Sequence, residues 1–309
     1  MERENIQVLF FGTPLFASRI LEAIYKSGFN ICGVITQTTK RAGRGKRSTS
    51  SQVKELADKY HLLVYQPVSL NEMVTIAKHL NPNIIIVASY GKLLPPDVVH
   101  LPEFGSLNVH GSLLPKYRGA SPIPATILNG DHETGITIMK MTEKLDAGPI
   151  ISQAKIKIET SDTTESLYQK LAEVGAEEIV RVIPLYISGD IHPHEQDHNQ
   201  ATYCSIIKKG NGLINWHHSA INIERTTRAF IPWPHAYTNW NGKILKILEA
   251  KVVKKVLEPG YVIVLDKTFY IGCGKDSLEI IKLQLEGKNE MTSKDFLNGY
   301  RDLDGTTLS

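Results

Sequence analysis

Asn108 and His110 stand two residues apart at the end of a short apolar run, and the chain then breaks into glycine and proline in "SLNVHGSLLPKYRGASPI", residues 106–123. On a strand, side chains at i and i+2 project from the same face, so the amide and the imidazole point the same way. That pair suits a reaction that builds negative charge on a carbonyl oxygen. Asn donates a hydrogen bond to the oxygen, and His donates one or delivers a proton. A histidine satisfied by the protein itself at a strand terminus is the other account of His110. A carboxylate able to hold or assist the imidazole is present in "KLDAGPI", where Asp146 follows the strand ending near Met141, again at a strand's carboxyl end. Asp in a DxG sequence is also a common turn former, and spacing alone does not separate the two roles.

Other motifs carry less chemistry. Ser112 has no GxSxG elbow around it, so its hydroxyl is read as backbone-capping or ligand-contacting and not as a nucleophile. "GTPLFA", from residue 12, departs from GxGxxG and reads as a tight turn with proline opening a helix. The His132–Glu133 pair lacks the second histidine of HExxH. His192, His194 and His198 lie in a polar, proline-containing stretch, so no metal is expected.

The elements that must position these residues alternate over the first half. Strands are predicted over 6–12, 31–36, 62–65, 84–88, 106–110 and 135–141, with helices over 15–27, 53–60, 73–80 and 163–187. Runs such as "NIIIVAS" are apolar without alternation, as in parallel strands covered on both faces. The pattern predicts an α/β, doubly wound (Rossmann-like) domain over residues 1–189. Ligands of such sheets bind beyond the carboxyl ends of the strands, and Gly111 marks that end for 106–110. Residues 190–206 are polar, with little to bury, and read as a linker. Residues 207–309 switch to a helix over 220–230 followed by short strands at 244–253, 261–265, 269–273 and 278–285, predicting a small β-barrel or sandwich.

Composition narrows the class. The chain has 309 residues, 42% hydrophobic and 22% charged, as in a soluble globular protein, with no apolar run long enough for a signal segment or a membrane span. Cys32, Cys204 and Cys273 are odd in number and scattered, which fits a reducing compartment and neither a disulfide framework nor a zinc knuckle. The net charge of +3 is unevenly placed: residues 203–309 hold 15 Lys and Arg against 11 Asp and Glu. Lys40, Arg41, Arg44, Lys46 and Arg47 form a run without an acid. Such a run is either a solvated loop or the footprint of a polyanionic partner such as RNA.

"NVHGSLLPKYRGASPI" and "LDAGPI" resemble two motifs of the folate-dependent formyltransferase family. "FFGTPLFA", "RAGRGK", "RAFIPWPHAYT" and "LEGKNEMTSKDFLNG" resemble blocks of its tRNA-acting branch, so the resemblance covers residues 10–299. It implies a one-carbon group transferase with Asn108, His110 and Asp146 as the catalytic trio. It also implies that Ser112, Leu113, Leu114 and Pro115 lie at the folate, with Tyr90, Gly91 and Leu93 along the pterin cleft. Lys40, Arg41, Arg44, Lys46 and Arg47 would engage the tRNA acceptor arm, and 207–309 would be an OB-like tRNA-binding domain. The implied substrates are 10-formyltetrahydrofolate, as formyl donor, and charged initiator tRNA (methionyl-tRNA), in translation initiation. No metal and no membrane are implied, and the setting is the cytoplasm or an organelle with bacterial-type initiation. Formyl transfer to an amino sugar nucleotide or to glycinamide ribonucleotide, and hydrolysis of formyltetrahydrofolate, would use the same trio. A non-catalytic RNA-binding protein would rest on the basic run and the barrel alone.

Overall fold

β1 (Gln7–Gly12) buries every residue after Gln7, because both faces of its sheet are covered. The computed structural model describes residues 2–38, 40–42 and 47–309, with backbone alone for 40–42 and 47–49. From β1 the chain turns into α1 (Leu15–Lys26), which buries Phe16, Ala17, Ile20, Leu21 and Ile24 at helical spacing. Gly28, at φ +81, follows its end. β2 (Asn30–Ile35) is succeeded by β3 (Lys40–Ala42) and β4 (Arg47–Thr49), which pair antiparallel. α2 (Gln52–Lys59) starts at Ser51, whose hydroxyl accepts the Lys54 N–H. After β5 (Val64–Tyr65), α3 (Leu70–Leu80) starts in the same way at Ser69. β6 (Ile84–Ala88), α4 (Pro96–Val99) and β7 (Ser106–His110) come next. Then follow β8 (Arg118–Gly119), α5 (Pro122–Asn129), β9 (Glu133–Lys140), β10 (Ile150–Lys157), α6 (Thr164–Ile187) and β11 (Tyr203–Cys204).

The main sheet has the order β10-β9-β7-β6-β1-β2-β5. β7, β6, β1, β2 and β5 run parallel, so their carboxyl ends share one edge. β9 runs antiparallel to β7, and β10 antiparallel to β9. β10 alternates between half-buried and exposed residues after Ile151, as a margin strand with one solvated face does. Under this sheet Leu9, Phe11, Ile85, Val87, Tyr90 and Met73 form one core cluster.

The chain divides into two compact units. The first comprises Met1–Pro122, Glu133–Lys157 and Tyr168–Ser205. The second comprises Ile123–His132, Ile158–Leu167 and Ile206–Ser309, so it takes two segments from between those of the first unit. Its later part holds α7 (Ala220–Ala229), β12 (Ala236–Trp240), β13 (Lys243–Val253), β14 (Val262–Leu265), β15 (Thr268–Gly272), β16 (Ser277–Leu285), β17 (Met291–Thr292) and α8 (Ser293–Gly299). These strands pair antiparallel in the order β12-β13-β16-β15-β14, with β17 on β16. β13 shifts register against β16 between Ile247 and Ala250, the kind of irregularity that bends a long strand over its core. Trp216, Trp240, Phe269 and Phe296 fill that core.

The three cysteines are unlike reactive thiols. Burial pushes the Cys32 thiol up to about 11 and that of Cys273 up to about 12, and it raises Cys204 as well. The thiolate is the nucleophile, so the folded protein is expected to react slowly with an aromatic disulfide reagent at neutral pH and rapidly in urea. Rapid uptake of one equivalent by the native protein would contradict this.

Candidate active site

β7 sets Asn108 opposite Val87 of β6 and Met139 of β9, and His110 opposite Thr137. The two side chains share a face, and the strand stops at His110. His110 Nε2 lies 3.0 Å from the carbonyl oxygen of Tyr117. A carbonyl can only accept, so Nε2 carries a proton and Nδ1 is the atom left for chemistry. Nδ1 is 3.8 Å from Asp146 Oδ2, and Asn108 Nδ2 reaches Asp146 Oδ1 at 3.5 Å, the outer limit of a hydrogen bond. The structure therefore brings Asn108, His110 and Asp146 together, with His110 and Asp146 both buried.

Asp146 arrives by a route that differs from the expected one. β9 runs antiparallel to β7, so its carboxyl end, at Lys140, lies beside Leu107 near the start of β7. The loop after β9 must turn back to bring Asp146 against Asn108 and His110. Two features close that turn. Asp146 adopts the left-handed conformation at φ 48, and Gly148 packs so tightly that a Cβ there would stand 1.8 Å from the Lys140 carbonyl oxygen. The carboxylate is then fixed by the Gly119 N–H, which donates to Oδ2 at 2.8 Å.

The residues expected at the folate divide into two groups. Ser112 is fully buried, and its hydroxyl donates to the Lys116 carbonyl at 2.6 Å, so it caps its own turn. Leu114 is buried too, with its N–H on Thr137 Oγ1 and its carbonyl accepting from Gln153 Nε2. The Tyr90 ring packs edge-on against Phe11 in the core, because the chain leaving β6 is drawn under the sheet. These three support the site's walls and do not face outward. Leu113 and Pro115 are half-buried, Leu93 is 79% exposed, and Gly91 at φ +78 passes close over Gln37. Of the basic run, Lys40, Arg41 and Arg47 lie on the backbone of the β3–β4 hairpin, whereas Arg44 and Lys46 fall outside the described residues.

The polar stretch expected to be a linker in fact returns to this site. Ile150 and His194 exchange both backbone hydrogen bonds, at 2.8 and 2.9 Å, and Gln196 is only 5% exposed. Arg118, buried, stands inside the block 108–123 with no local pattern to single it out there, and Gln196 carries no signal in the sequence, since burial of a lone polar side chain depends on partners far along the chain. Among the described residues no group of three or more His, Cys, Asp and Glu is placed to hold a metal ion, and no helix is long and apolar enough to cross a membrane.

An amide, an imidazole and a carboxylate gathered at the carboxyl end of β7, with Asn108 Nδ2 at 3.5 Å and His110 Nδ1 at 3.8 Å from Asp146, are the groups an acyl transfer can use. The Formyl transferase family model matches residues 4–183, the Formyl transferase, C-terminal domain model matches 206–301, and the chain belongs to this family. A methionyl-tRNA formyltransferase of Dehalococcoides mccartyi is 43% identical over 309 residues, covering 98% of each chain. That of Caldanaerobacter subterraneus subsp. tengcongensis is 40% identical over 308 residues, covering 98% of this chain and 100% of the relative. Among solved structures, the N-formyltransferase from Helicobacter canadensis, in complex with folinic acid and dTDP-3-aminofucose, superposes with a TM-score of 0.68 at 23% identity over 89% of this chain and 98% of its own. HypX from Aquifex aeolicus, in complex with tetrahydrofolic acid, gives 0.65 at 17% identity over 96% of this chain and 47% of its own. At those identities the structures attest the fold.

Proposed function

We propose that this chain transfers the formyl group of 10-formyltetrahydrofolate to the α-amino group of methionyl-initiator tRNA, preparing that tRNA for translation initiation. The observation that carries the reading is the convergence of Asn108 Nδ2 and His110 Nδ1 on the Asp146 carboxylate at the end of β7. The two methionyl-tRNA formyltransferases described above match the chain along nearly its whole length, which points to a tRNA acceptor.

The methionyl nitrogen attacks the formyl carbon, a C–N bond forms, and the carbonyl oxygen becomes an oxyanion. Asn108 donates a hydrogen bond to that oxygen, and His110, protonated at Nδ1, donates the second. Asp146 orients the imidazole and takes the proton released by the attacking nitrogen. The tetrahydrofolate nitrogen then leaves with the electron pair of its bond to the formyl carbon and takes up a proton. Each such donor is worth roughly 3–4 kcal/mol of transition-state stabilisation. Gly91, Leu93, Leu113 and Pro115 offer the surfaces for the pterin, while Tyr90, Ser112 and Leu114 hold them in place. The unit of residues 1–122, 133–157 and 168–205 would carry the chemistry, and residues 207–309 would help bind tRNA in a cytoplasmic or organellar setting.

The test is transfer of labelled formyl from 10-formyltetrahydrofolate with methionyl-initiator tRNA, uncharged tRNA, an amino sugar nucleotide or water as acceptor. Label should move to the charged tRNA alone. Transfer only to the sugar nucleotide, or release only as formate, would replace this reading with that activity. Binding of RNA without any transfer would remove catalysis altogether.

The basic run is part of the same reading. Arg44→Ala with Lys46→Ala should lower kcat/KM for tRNA and flatten its salt dependence by roughly one unit of log slope for each phosphate no longer neutralised. KM for the folate should stay unchanged. Equal tRNA kinetics for wild type and double variant at every salt concentration would reduce the run to a solvated loop.

A further inference from the structure

Gln196 is a fully bonded amide against the loop that carries Asp146. Its Nε2 donates to the carbonyl oxygens of Asp146 at 3.0 Å and Gly148 at 2.7 Å. Its Oε1 accepts from Arg118 Nε at 3.1 Å and Nη2 at 2.6 Å. Carbonyls only accept and a guanidinium only donates, so no other orientation of the amide satisfies all four hydrogen bonds. Arg118 is itself buried, donates to His198 Nδ1 at 2.8 Å, and sits on β8, which pairs in parallel with β11. The residue after it is Gly119, whose N–H holds Asp146 Oδ2. β8 therefore grips Asp146 twice: at the carboxylate through Gly119, and at the main-chain carbonyl through Arg118 and Gln196.

We infer that Gln196, seated on Arg118, is a positioning residue for Asp146 in the transfer reaction, an inference that rests on the role given to Asp146 above. The φ of 48 is disfavoured for a residue with a side chain, and the amide's two donors hold the turn in it. Without them the turn relaxes, and the carboxylate moves away from His110 Nδ1. An amide serving only to satisfy the buried guanidinium would need its oxygen alone. The two N–H bonds to the Asp146 loop are a separate task.

Two variants divide these tasks. Gln196→Glu keeps acceptor oxygens for Arg118 and has no donor for the two carbonyls, whereas Gln196→Met keeps neither. If Gln196 positions Asp146, both lower kcat by about 10- to 100-fold, the scale of loss for a misplaced reacting group, with KM for folate and tRNA little changed. The Glu variant keeps the guanidinium paired, so it should lose less stability than the Met variant although its kcat falls as far. In an Asp146→Asn background, Gln196→Glu should cost little more, because the group it positions is already gone. A Glu variant with wild-type kcat, a change confined to KM, or full additivity with Asp146→Asn would each overturn the inference. Wild type is assayed alongside: an inactive wild type defeats the proposed function, whereas an active wild type with an equally active Glu variant defeats only the role of Gln196.

Discussion

His110→Ala is expected to give a folded protein whose kcat falls by about 10²–10³-fold, the usual cost of deleting one oxyanion donor. The imidazole hydrogen-bonds through Nε2 to the Tyr117 carbonyl and turns Nδ1 toward Asp146. Removing it takes one donor from the Tyr117 carbonyl, which also accepts from Cys204 Sγ at 3.5 Å, a stability cost of about 0.5–1.5 kcal/mol that a domain of this size tolerates. The transition state loses a donor that nothing nearby replaces. The measurement is kcat at saturating folate and tRNA, with thermal unfolding in parallel. A variant that folds and turns over at nearly the wild-type rate would show that His110 only finishes a strand.

Gly148→Ala should be comparably damaging to turnover through a different cause. The added methyl would stand 1.8 Å from the Lys140 carbonyl oxygen, which is backbone at the end of β9 and cannot swing aside. Relief requires the loop to move, and Asp146 is two residues away. Overpacking of this kind costs about 1–3 kcal/mol of stability. Displacing a reacting group by about 1 Å costs on the order of 10²-fold in rate. Gly189→Ala is the control. Gly189 sits at φ +82 with open space around its missing Cβ, so alanine there strains the backbone without touching the site. It should lose a little stability and keep its turnover. Equal kcat for the two alanine variants would mean that the exact placement of Asp146 does not matter.

The features legible in the residues alone are local ones. The run "IIIVA" marks β6, and "SLNVH" marks β7 with Asn108 and His110 on one face. These follow from the two-residue and 3.6-residue periods of strand and helix, which act within a few positions. The motif blocks also named Asn108, His110 and Asp146 as a group. How Asp146 reaches the other two was settled by long-range pairing, because β9 lies antiparallel to β7 and its loop must fold back across it. The same level of structure assigned the proton on His110 Nε2, buried the Ser112 hydroxyl, and drew Gln196 out of an apparent linker onto Arg118. Each of these depends on a hydrogen-bond partner elsewhere in the fold, for Gln196 one 78 residues away. A polar side chain bears no mark of the partner that will bury it, so no local pattern reveals that outcome.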